Sequence, residues 1–320
     1  MKKILFKALF AVGLLSSIQS IKAQCSLDQV GAANYSVTSQ YSDMAVAPDG
    51  TLYNISYNSG VGKFFLHSSF NFSPWAEISS INSSTNTNPV IEVSKNGKVY
   101  VLLKDDGAGQ VAKLFYLSSG TFIQVGPAIS GANKASDLSL AFNSLGEEYV
   151  AYTDITNSNR STVKKWNGSS WNLVGVGPVS SGNAFYNSLI IDKTDSPVLV
   201  FQDGSNGNKA NIQKFNGAIW SAIDLLGSSV TNTKLKLGQN GDYYLGYTEA
   251  ANTVVVQRHN GTLFSGLGSA VTALSPNAFA FDLELDPNDV PYFIALNNTS
   301  FYAVSFKYNG SAWVNTIGGN

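Results

Sequence analysis

The segment TVKKWNGSSWNLVGV, residues 162–176, contains the pattern that decides the fold. Alternating apolar runs flank the pair Asn167-Gly168, and both of these residue types tolerate the positive φ of a tight type I′ turn. The segment therefore predicts a β-hairpin. The same landmark, an aromatic or His residue followed by Asn-Gly and a second aromatic residue, recurs along the chain. Its copies are Trp166–Trp171, Phe215–Trp220, His259–Phe264 and Tyr308–Trp313, with weaker forms at Ser118–Phe122 and Asn71–Trp75.

A second landmark precedes each hairpin and consists of a turn followed by a short strand rich in Tyr, Val and Phe. Leu145-Gly146-Glu147-Glu148-Tyr149 is one example. The turn residues stand at positions 50, 97, 146, 196, 241 and 289, so that successive copies are separated by 47, 49, 50, 45 and 48 residues. Six copies at such regular spacing indicate an internal repeat of the length found in propellers.

Each repeat contains four predicted strands, and helix periodicity is absent. In the third repeat they are Leu138–Phe142, Glu147–Thr153, Thr162–Trp166 and Trp171–Val176. Four short antiparallel strands per repeat predict an all-β protein, a six-bladed β-propeller of four-stranded blades. A seven-bladed or incomplete ring is the alternative, because Leu27–Gly31 and Trp313–Gly318 both look like a fourth strand.

The repeated core Asn-Gly-x-x-Tyr, as in Asn96-Gly97-Lys98-Val99-Tyr100, resembles the blades of NHL-type and related six-bladed propellers. The shared element is a turn followed by an aromatic-rich second strand. The resemblance covers nearly all of the chain after residue 23 and implies the fold only. The Gly-His and Trp-Asp pairs of WD40 blades, the kelch Gly-Gly doublet and the sialidase Asp-box are missing.

Residues 1–23 have the features of a secretory signal peptide of a bacterial protein. Lys2 and Lys3 give a positive start, residues 8–15 are apolar, and cleavage is predicted between Ala23 and Gln24. Residues 24–320 are then predicted to form a single propeller domain with six repeats. The expected location is secreted, periplasmic or at the cell surface.

The charge balance excludes several classes of partner. The four leader lysines account for 4 of the 20 basic residues, which leaves 16 against 21 acidic residues, or a net charge of about −5. That balance disfavours nucleic acids and anionic membranes, and no later apolar run is long enough to insert in a bilayer. A monomer is expected. The single Cys, Cys25, is interpreted as a free thiol, because Gln24 is a poor fit to lipoprotein processing.

Four of the six second strands end in a carboxylate, and these residues form the predicted ligand-binding rim at the channel mouth. They are Asp105, Asp154, Asp203 and Glu249. In a closed ring such oxygens would converge to bind calcium or a polyhydroxylated ligand. Further polar residues before the first strands extend the rim: Asn88, Asp137, Asn187, Asn232, Asp43 and Asp282. The competing and favoured interpretation is that all of these residues cap turns and strand entrances.

No catalytic motif is recognisable, and no cofactor is predicted. The two histidines, His67 and His259, lie on third strands of distant repeats without metal-binding spacing, and are interpreted as strand surface residues. A Gly-x-Ser-x-Gly nucleophile turn is absent. Four Trp residues open fourth strands, where they either stack on sugars or pack between blades, and packing is favoured. They are Trp75, Trp171, Trp220 and Trp313.

These observations favour a secreted, non-enzymatic recognition or scaffold propeller that binds a glycan, a peptide or a surface partner. The first alternative is a glycan hydrolase or lyase that uses the acidic rim. The second is a structural adhesin module of a longer surface protein.

Overall fold

Six four-stranded antiparallel sheets make up the protein, and they are arranged as the blades of a ring. The computed structural model describes residues 39–71, 73–82, 88–249, 253–272, 281–296 and 303–316. In each blade the strands lie in chain order from the innermost to the outermost. The prediction of a six-bladed propeller is confirmed.

The first three blades contain strands β1 to β12. The first blade is β1 (Ser39–Val46), β2 (Leu52–Asn58), β3 (Lys63–Ser69) and β4 (Ala76–Asn82). The second is β5 (Val90–Val93), β6 (Val99–Asp105), β7 (Val111–Ser118) and β8 (Thr121–Gln124). The third is β9 (Ala135–Phe142), β10 (Glu148–Asp154), β11 (Arg160–Trp166) and β12 (Trp171–Leu173).

The last three blades contain strands β13 to β24. The fourth blade is β13 (Ala184–Ile191), β14 (Pro197–Asp203), β15 (Lys209–Phe215) and β16 (Trp220–Leu226). The fifth is β17 (Val230–Leu237), β18 (Tyr243–Glu249), β19 (Thr253–His259) and β20 (Phe264–Gly266). The sixth is β21 (Asp282–Leu285), β22 (Pro291–Leu296), β23 (Ala303–Tyr308) and β24 (Trp313–Asn315).

Helical structure in these ranges amounts to two single 3-10 turns, Asp106–Ala108 and Gly204–Asn206. Each follows a second strand and begins the loop to the third strand. Within the described ranges, no helix combines the length and the apolar character that crossing a bilayer requires.

The core lies between neighbouring blades, because each sheet packs both faces against its neighbours. All seven residues of β14 are buried, whereas the outermost strand β12 buries only Trp171. Between the third and fourth blades, Tyr149 and Ala151 pack with Leu199 and Phe201. A sheet that is buried on both faces needs second strands with continuous apolar runs. This explains why the second strand of each repeat is rich in Tyr, Val and Phe.

The turns between first and second strands carry a left-handed residue in every blade. Gly provides it in four blades, at Gly50, Gly97, Gly146 and Gly241. In the other two blades it is Asp195 (φ +57°) and Asp289 (φ +60°). The fourth turn therefore places its left-handed residue one position earlier than the residue 196 marked in the sequence.

The alternative of a seventh blade is wrong, since β21 to β24 complete the sixth blade from residues 282–315. The segment Trp313–Asn315 is its outermost strand. The other fourth-strand candidate, Leu27–Gly31, lies outside the described residues, as do the predicted signal peptide and Cys25.

Candidate functional site

The four carboxylates of the predicted rim all lie at one end of the ring, where second strands finish. Two of them are held by groups at the same end. Asp105 accepts a hydrogen bond from Lys113 Nζ at 2.7 Å. Asp154 is buried and accepts from Asn133 Nδ2 at 2.9 Å and from the backbone N–H of Asn157 at 3.0 Å.

The other two carboxylates have similar local partners. Asp203 is buried and accepts from Ser205 N (3.0 Å), Asn206 Nδ2 (2.7 Å) and Asn211 Nδ2 (2.7 Å). Glu249 accepts from the backbone N–H of Ser228 at 3.1 Å. In the described part of the chain, no hydrogen bond or ion pair joins any two of the four rim carboxylates. The structure thus assigns them roles in loop geometry, and their binding of a ligand or calcium stays a prediction.

The further polar residues near the first strands also bind backbone groups. Asp137 accepts from the N–H of Tyr186 in the next blade at 3.0 Å, and Asp43 accepts from the N–H of Ile91 at 2.9 Å. The Asn187 amide donates to the backbone carbonyl of Asp137 at 3.1 Å. These contacts agree with the capping interpretation and tie neighbouring blades together near the channel.

A groove lies between the third and fourth blades at the opposite end of the ring, where second strands begin. It has a volume of about 420 Å³. The side chains that matter below are Tyr149, Lys165 and Asn172 of the third blade and Asp195, Phe215 and Asn216 of the fourth. Because β10 runs from this end towards the rim, the groove and the predicted rim are separated by the length of a strand.

On the third blade the groove is lined by Lys165, which forms an ion pair with Glu147. Lys165 Nζ lies 2.6 Å from Glu147 Oε2, and the Asn143 amide donates to the same oxygen at 2.5 Å. The bond from Lys165 is the main cause of a lowered pKa of Glu147, which is therefore ionised at neutral pH. Lys165 Nζ also lies 5.3 Å from the centre of the Tyr149 ring, which fixes the amine at the groove edge.

A second carboxylate, Asp195, comes from the turn of the fourth blade. The positive φ of Asp195 aims its oxygens at the third blade, where they accept from the N–H of Ser144 at 2.8 Å and from its hydroxyl at 2.5 Å. The side-chain bond and the backbone bond both lower the pKa of Asp195. The charged side chains that line the groove, Lys165 and Asp195, carry opposite charges, and the Lys165 amine is also paired with Glu147.

Aromatic side chains form the wall on the fourth blade. The rings of Phe215 and Trp220 lie 5.5 Å apart, and Trp220 Nε1 donates to the carbonyl of Val174 at 2.7 Å. Gly175 allows this close approach, because a Cβ there would lie 3.1 Å from Trp220 Cδ1. Two other Trp residues make the same bond to the preceding blade: Trp171 to Val125 and Trp313 to Leu267. These Trp side chains act in inter-blade packing, as favoured from the sequence.

The groove offers hydrogen-bonding groups beside apolar surface. Asn172 and Asn216 are exposed at its edge, and amides both donate to and accept from hydroxyl groups. The carboxylates accept from hydroxyl groups, while an aromatic wall packs against C–H faces. A small net charge and several neutral polar groups suit an uncharged, polyhydroxylated molecule.

Metal or histidine chemistry has little support in the described ranges, where no three His, Cys, Asp or Glu side chains are grouped to hold a metal ion. The two histidines do lie on third strands. However, both are buried, and the interpretation of His67 and His259 as surface residues is wrong. His259 stacks on Tyr243 at 5.5 Å and contacts Phe264 at 4.8 Å, so that burial lowers its pKa.

The sequence did not single out this groove, because its two walls come from different repeats. Lys165 lies just before the Asn-Gly turn of the third repeat and Asp195 in a turn of the fourth, so that no single repeat contains both. One available signal was Asp at a position where four other repeats have Gly. A residue other than Gly is uncommon at a left-handed turn position, so an Asp there draws attention to the contacts of its side chain.

Comparison with known proteins places the fold among lectins and a lyase. No family model and no curated protein matches the chain. A variant of Aleuria aurantia lectin bound to α-methyl-L-fucoside aligns with a TM-score of 0.60 and 12% identity, over 87% of this chain and 94% of the lectin. SapL1 lectin bound to α-methyl fucoside aligns with a TM-score of 0.60 and 14% identity, over 87% and 95%. An ulvan lyase aligns with a TM-score of 0.53 and 10% identity, over 90% and 82%. At these identities the likeness shows the propeller fold alone.

Proposed function

We propose that the protein is a secreted, non-enzymatic carbohydrate-binding propeller that holds a neutral sugar in the groove between its third and fourth blades. The observation that carries the proposal is the composition of that groove. The Lys165–Glu147 pair and Asp195 face the Phe215 wall across a cavity of about 420 Å³. This volume is in the range of small-ligand sites.

The lectins of similar fold support the sugar class of ligand. Both are described in complex with a methyl fucoside, which is a neutral monosaccharide. The predicted signal peptide supports export, which brings such a protein into contact with extracellular glycans. The groove is favoured over the carboxylate rim by its aromatic side chain Phe215 and its exposed amides Asn172 and Asn216.

Filling the groove is expected to weaken binding to a surface coated with fucosylated glycans by at least about tenfold, which is about 1.4 kcal/mol. The change is Asn172→Trp, which places a large ring at the exposed edge of β12. The expected loss is steric, since a ring there occupies the space of the sugar. Surface plasmon resonance on immobilised fucosylated glycan measures it.

The matched control is the double variant Asp154→Asn/Asp203→Asn at the other end of the ring. It removes two rim charges and leaves the groove intact. Loss of binding in this control, together with full binding by Asn172→Trp, would transfer the site to the rim. Circular dichroism of both variants checks that the fold is kept.

A polysaccharide lyase is the second candidate function, because an ulvan lyase shares the propeller fold. Lyases leave an unsaturated uronate, so that incubation with uronate-containing polysaccharides and ultraviolet detection of that product tests the candidate. Turnover that disappears in the Asp154→Asn/Asp203→Asn variant would replace the non-enzymatic proposal with an enzyme that uses the rim.

A further inference from the structure

The junction between the fifth and sixth blades repeats the ion pair, the facing carboxylate and the aromatic pair of the junction between the third and fourth blades. Strand register fixes the correspondence, because Tyr149 pairs with Lys165 across β10 and β11, and Tyr244 pairs with Arg258 across β18 and β19. Arg258 therefore occupies the position of Lys165. The Arg258 guanidinium carbon lies 5.9 Å from the Tyr244 ring centre, as the Lys165 amine does near Tyr149.

The ion pair is present in both places. Arg258 NH2 lies 2.5 Å from Asp242 Oδ2, and Asp242 stands at the register position of Glu147. The Asn240 amide donates to Asp242 at 2.8 Å, as Asn143 does to Glu147. The bond from Asp242 is the main cause of a raised pKa of Arg258.

The facing carboxylate is repeated as well. Asp289, like Asp195, has a positive φ in the turn of the following blade. Its oxygens accept from the backbone N–H groups of Gln239 at 2.6 Å and Asn240 at 3.0 Å. Asp195 makes the corresponding contacts with Ser144. A left-handed Asp that reaches the preceding blade thus occurs at these two junctions.

The aromatic wall completes the match. Tyr308 and Trp313 lie 5.5 Å apart, the same separation as Phe215 and Trp220. Trp313 Nε1 donates to the carbonyl of Leu267 at 2.7 Å, next to Gly268 with a positive φ. The Tyr308 hydroxyl adds one polar group that Phe215 lacks.

The other four junctions lack the residues for this arrangement. The register position of Glu147 is not acidic in those blades, and the turn position of Asp195 is Gly. The residues at the first position are Thr51, Lys98, Ser196 and Val290, and those at the second are Gly50, Gly97, Gly146 and Gly241. Of the six junctions, only the third/fourth and the fifth/sixth therefore carry the full set.

We infer that the junction between the fifth and sixth blades is a second binding site for the same neutral saccharide, which makes the protein bivalent. This inference rests on the proposed function. Two blades of a six-bladed ring separate the two sites by about 120°. Both open at the end where second strands begin, so that one glycan-coated surface engages both at once and binding gains from avidity.

The charges at the two junctions define the ligand class further. Each holds one cation and two carboxylates, Lys165 with Glu147 and Asp195 in one, and Arg258 with Asp242 and Asp289 in the other. Because Lys165 and Arg258 are each paired with a carboxylate, neither cation is free to bind a sulfate or a uronate. Sulfated and uronate-rich saccharides are therefore excluded in favour of uncharged ones.

Equilibrium dialysis of the full chain against methyl α-L-fucoside tests the inference by counting molecules bound at saturation. The unmodified protein is expected to bind two. Asn172→Trp blocks the first site, and Ser265→Trp blocks the second, since Ser265 is exposed at the corresponding position of β20. Each single variant is expected to bind one molecule, and the double variant none.

The outcomes separate the two claims. One molecule bound by the unmodified protein, lost in Asn172→Trp and kept in Ser265→Trp, overturns the second site and leaves the proposed function in place. No binding by the unmodified protein overturns both. More than two molecules bound overturns the restriction to these two junctions. On a fucosylated surface, each single variant is expected to dissociate at least about tenfold faster than the unmodified protein.

Discussion

Replacing Asp192 by Ala is expected to lower the free energy of unfolding by about 3 kcal/mol, the lower end of the range for breaking a buried ion pair, because the Lys214 side chain is partly exposed and solvent screens its charge. Asp192 is 6% exposed and lies in the turn before β14. Its loss leaves Lys214 and the Tyr243 hydroxyl without their acceptor. Urea unfolding followed by Trp fluorescence measures the change.

The size of the effect follows from the number of donors around this carboxylate. Within the fourth blade, one oxygen accepts from the N–H of Thr194 at 2.8 Å, from its hydroxyl at 2.7 Å and from the N–H of Ser196 at 3.0 Å. The other accepts from Lys214 Nζ at 2.6 Å and from the Tyr243 hydroxyl of the fifth blade at 2.8 Å. Asp192 therefore joins two blades as well as closing its own turn.

The pH dependence of stability provides a second readout at this site. Burial alone would raise the pKa of Asp192, but the bonds from Lys214, Thr194, Ser196 and Tyr243 outweigh it and lower the pKa to about 2. A lowered folded-state pKa gives stability that is present above the unfolded value near 4 and is lost as the pH falls from 4 to 2. The difference between the unmodified protein and Asp192→Asn should therefore be about 2 kcal/mol at pH 7 and should shrink towards pH 2.

Asp49→Asn is the matched control, because Asp49 is an exposed turn carboxylate that accepts from the N–H of Thr51 at 2.9 Å within its own turn. Its cost is expected to stay below about 1 kcal/mol, as for most surface changes. Equal losses in Asp192→Ala and Asp49→Asn would contradict the role of Asp192 as a link between blades.

The fold was predictable because its determinants repeat along one chain. In the pair Asn167-Gly168, Gly168 alone has a positive φ, and the Asn167 side-chain oxygen closes the turn by accepting from the N–H groups of Ser169 and Ser170. A buried second strand such as β14 needs a continuous apolar run. Both signals depend on residues close together in the chain, so they can be recognised in a single sequence. The exact position of each turn was harder to predict. In the fourth turn the left-handed residue is Asp195, one position before the predicted residue 196.

The candidate site was less predictable because it depends on which side chains of neighbouring blades come together. The sequence placed Asp154 and Asp203 correctly at one end of the ring, but a sequence pattern does not show that Asn133 and Asn206 occupy them. The groove needed the distance between Lys165 of one repeat and Asp195 of the next. That distance depends on how blades pack, and packing is not a property of either repeat alone.

Two salt bridges join the innermost strands of the fifth and sixth blades, and the sequence did not predict them. Lys234 lies 3.4 Å from Asp282, and Lys236 lies 2.5 Å from Glu284, on the innermost strands β17 and β21. About a fifth of each side chain of the second pair is exposed, 21% and 19%. Burial opposes the charge of Lys236, but attraction to Glu284, Asp282 and Asp43 raises its pKa.

Lys236→Met is expected to lower the free energy of unfolding by about 2–3 kcal/mol, because Glu284 then keeps its charge in the channel without its closest counter-ion. The value lies below that of a fully buried pair because solvent screens part of the interaction. The double variant Lys236→Met/Glu284→Met is expected to recover most of the loss, since two apolar side chains replace two charges that both had to be desolvated. Urea unfolding of the single and double variants gives the coupling energy.

The exposed pair Lys165–Glu147 is the control for this cycle, and its coupling energy should stay below about 1 kcal/mol. If the losses of unfolding free energy in Lys236→Met and Glu284→Met add up to the loss in the double variant, the pair is screened by solvent as fully as a surface pair. Alkaline titration distinguishes the two cases further. A raised pKa gives stability that is present below the unfolded value near 10.4 and is lost as the pH rises through the folded value, so that Lys236→Met should lose less stability above pH 10 than the unmodified protein does.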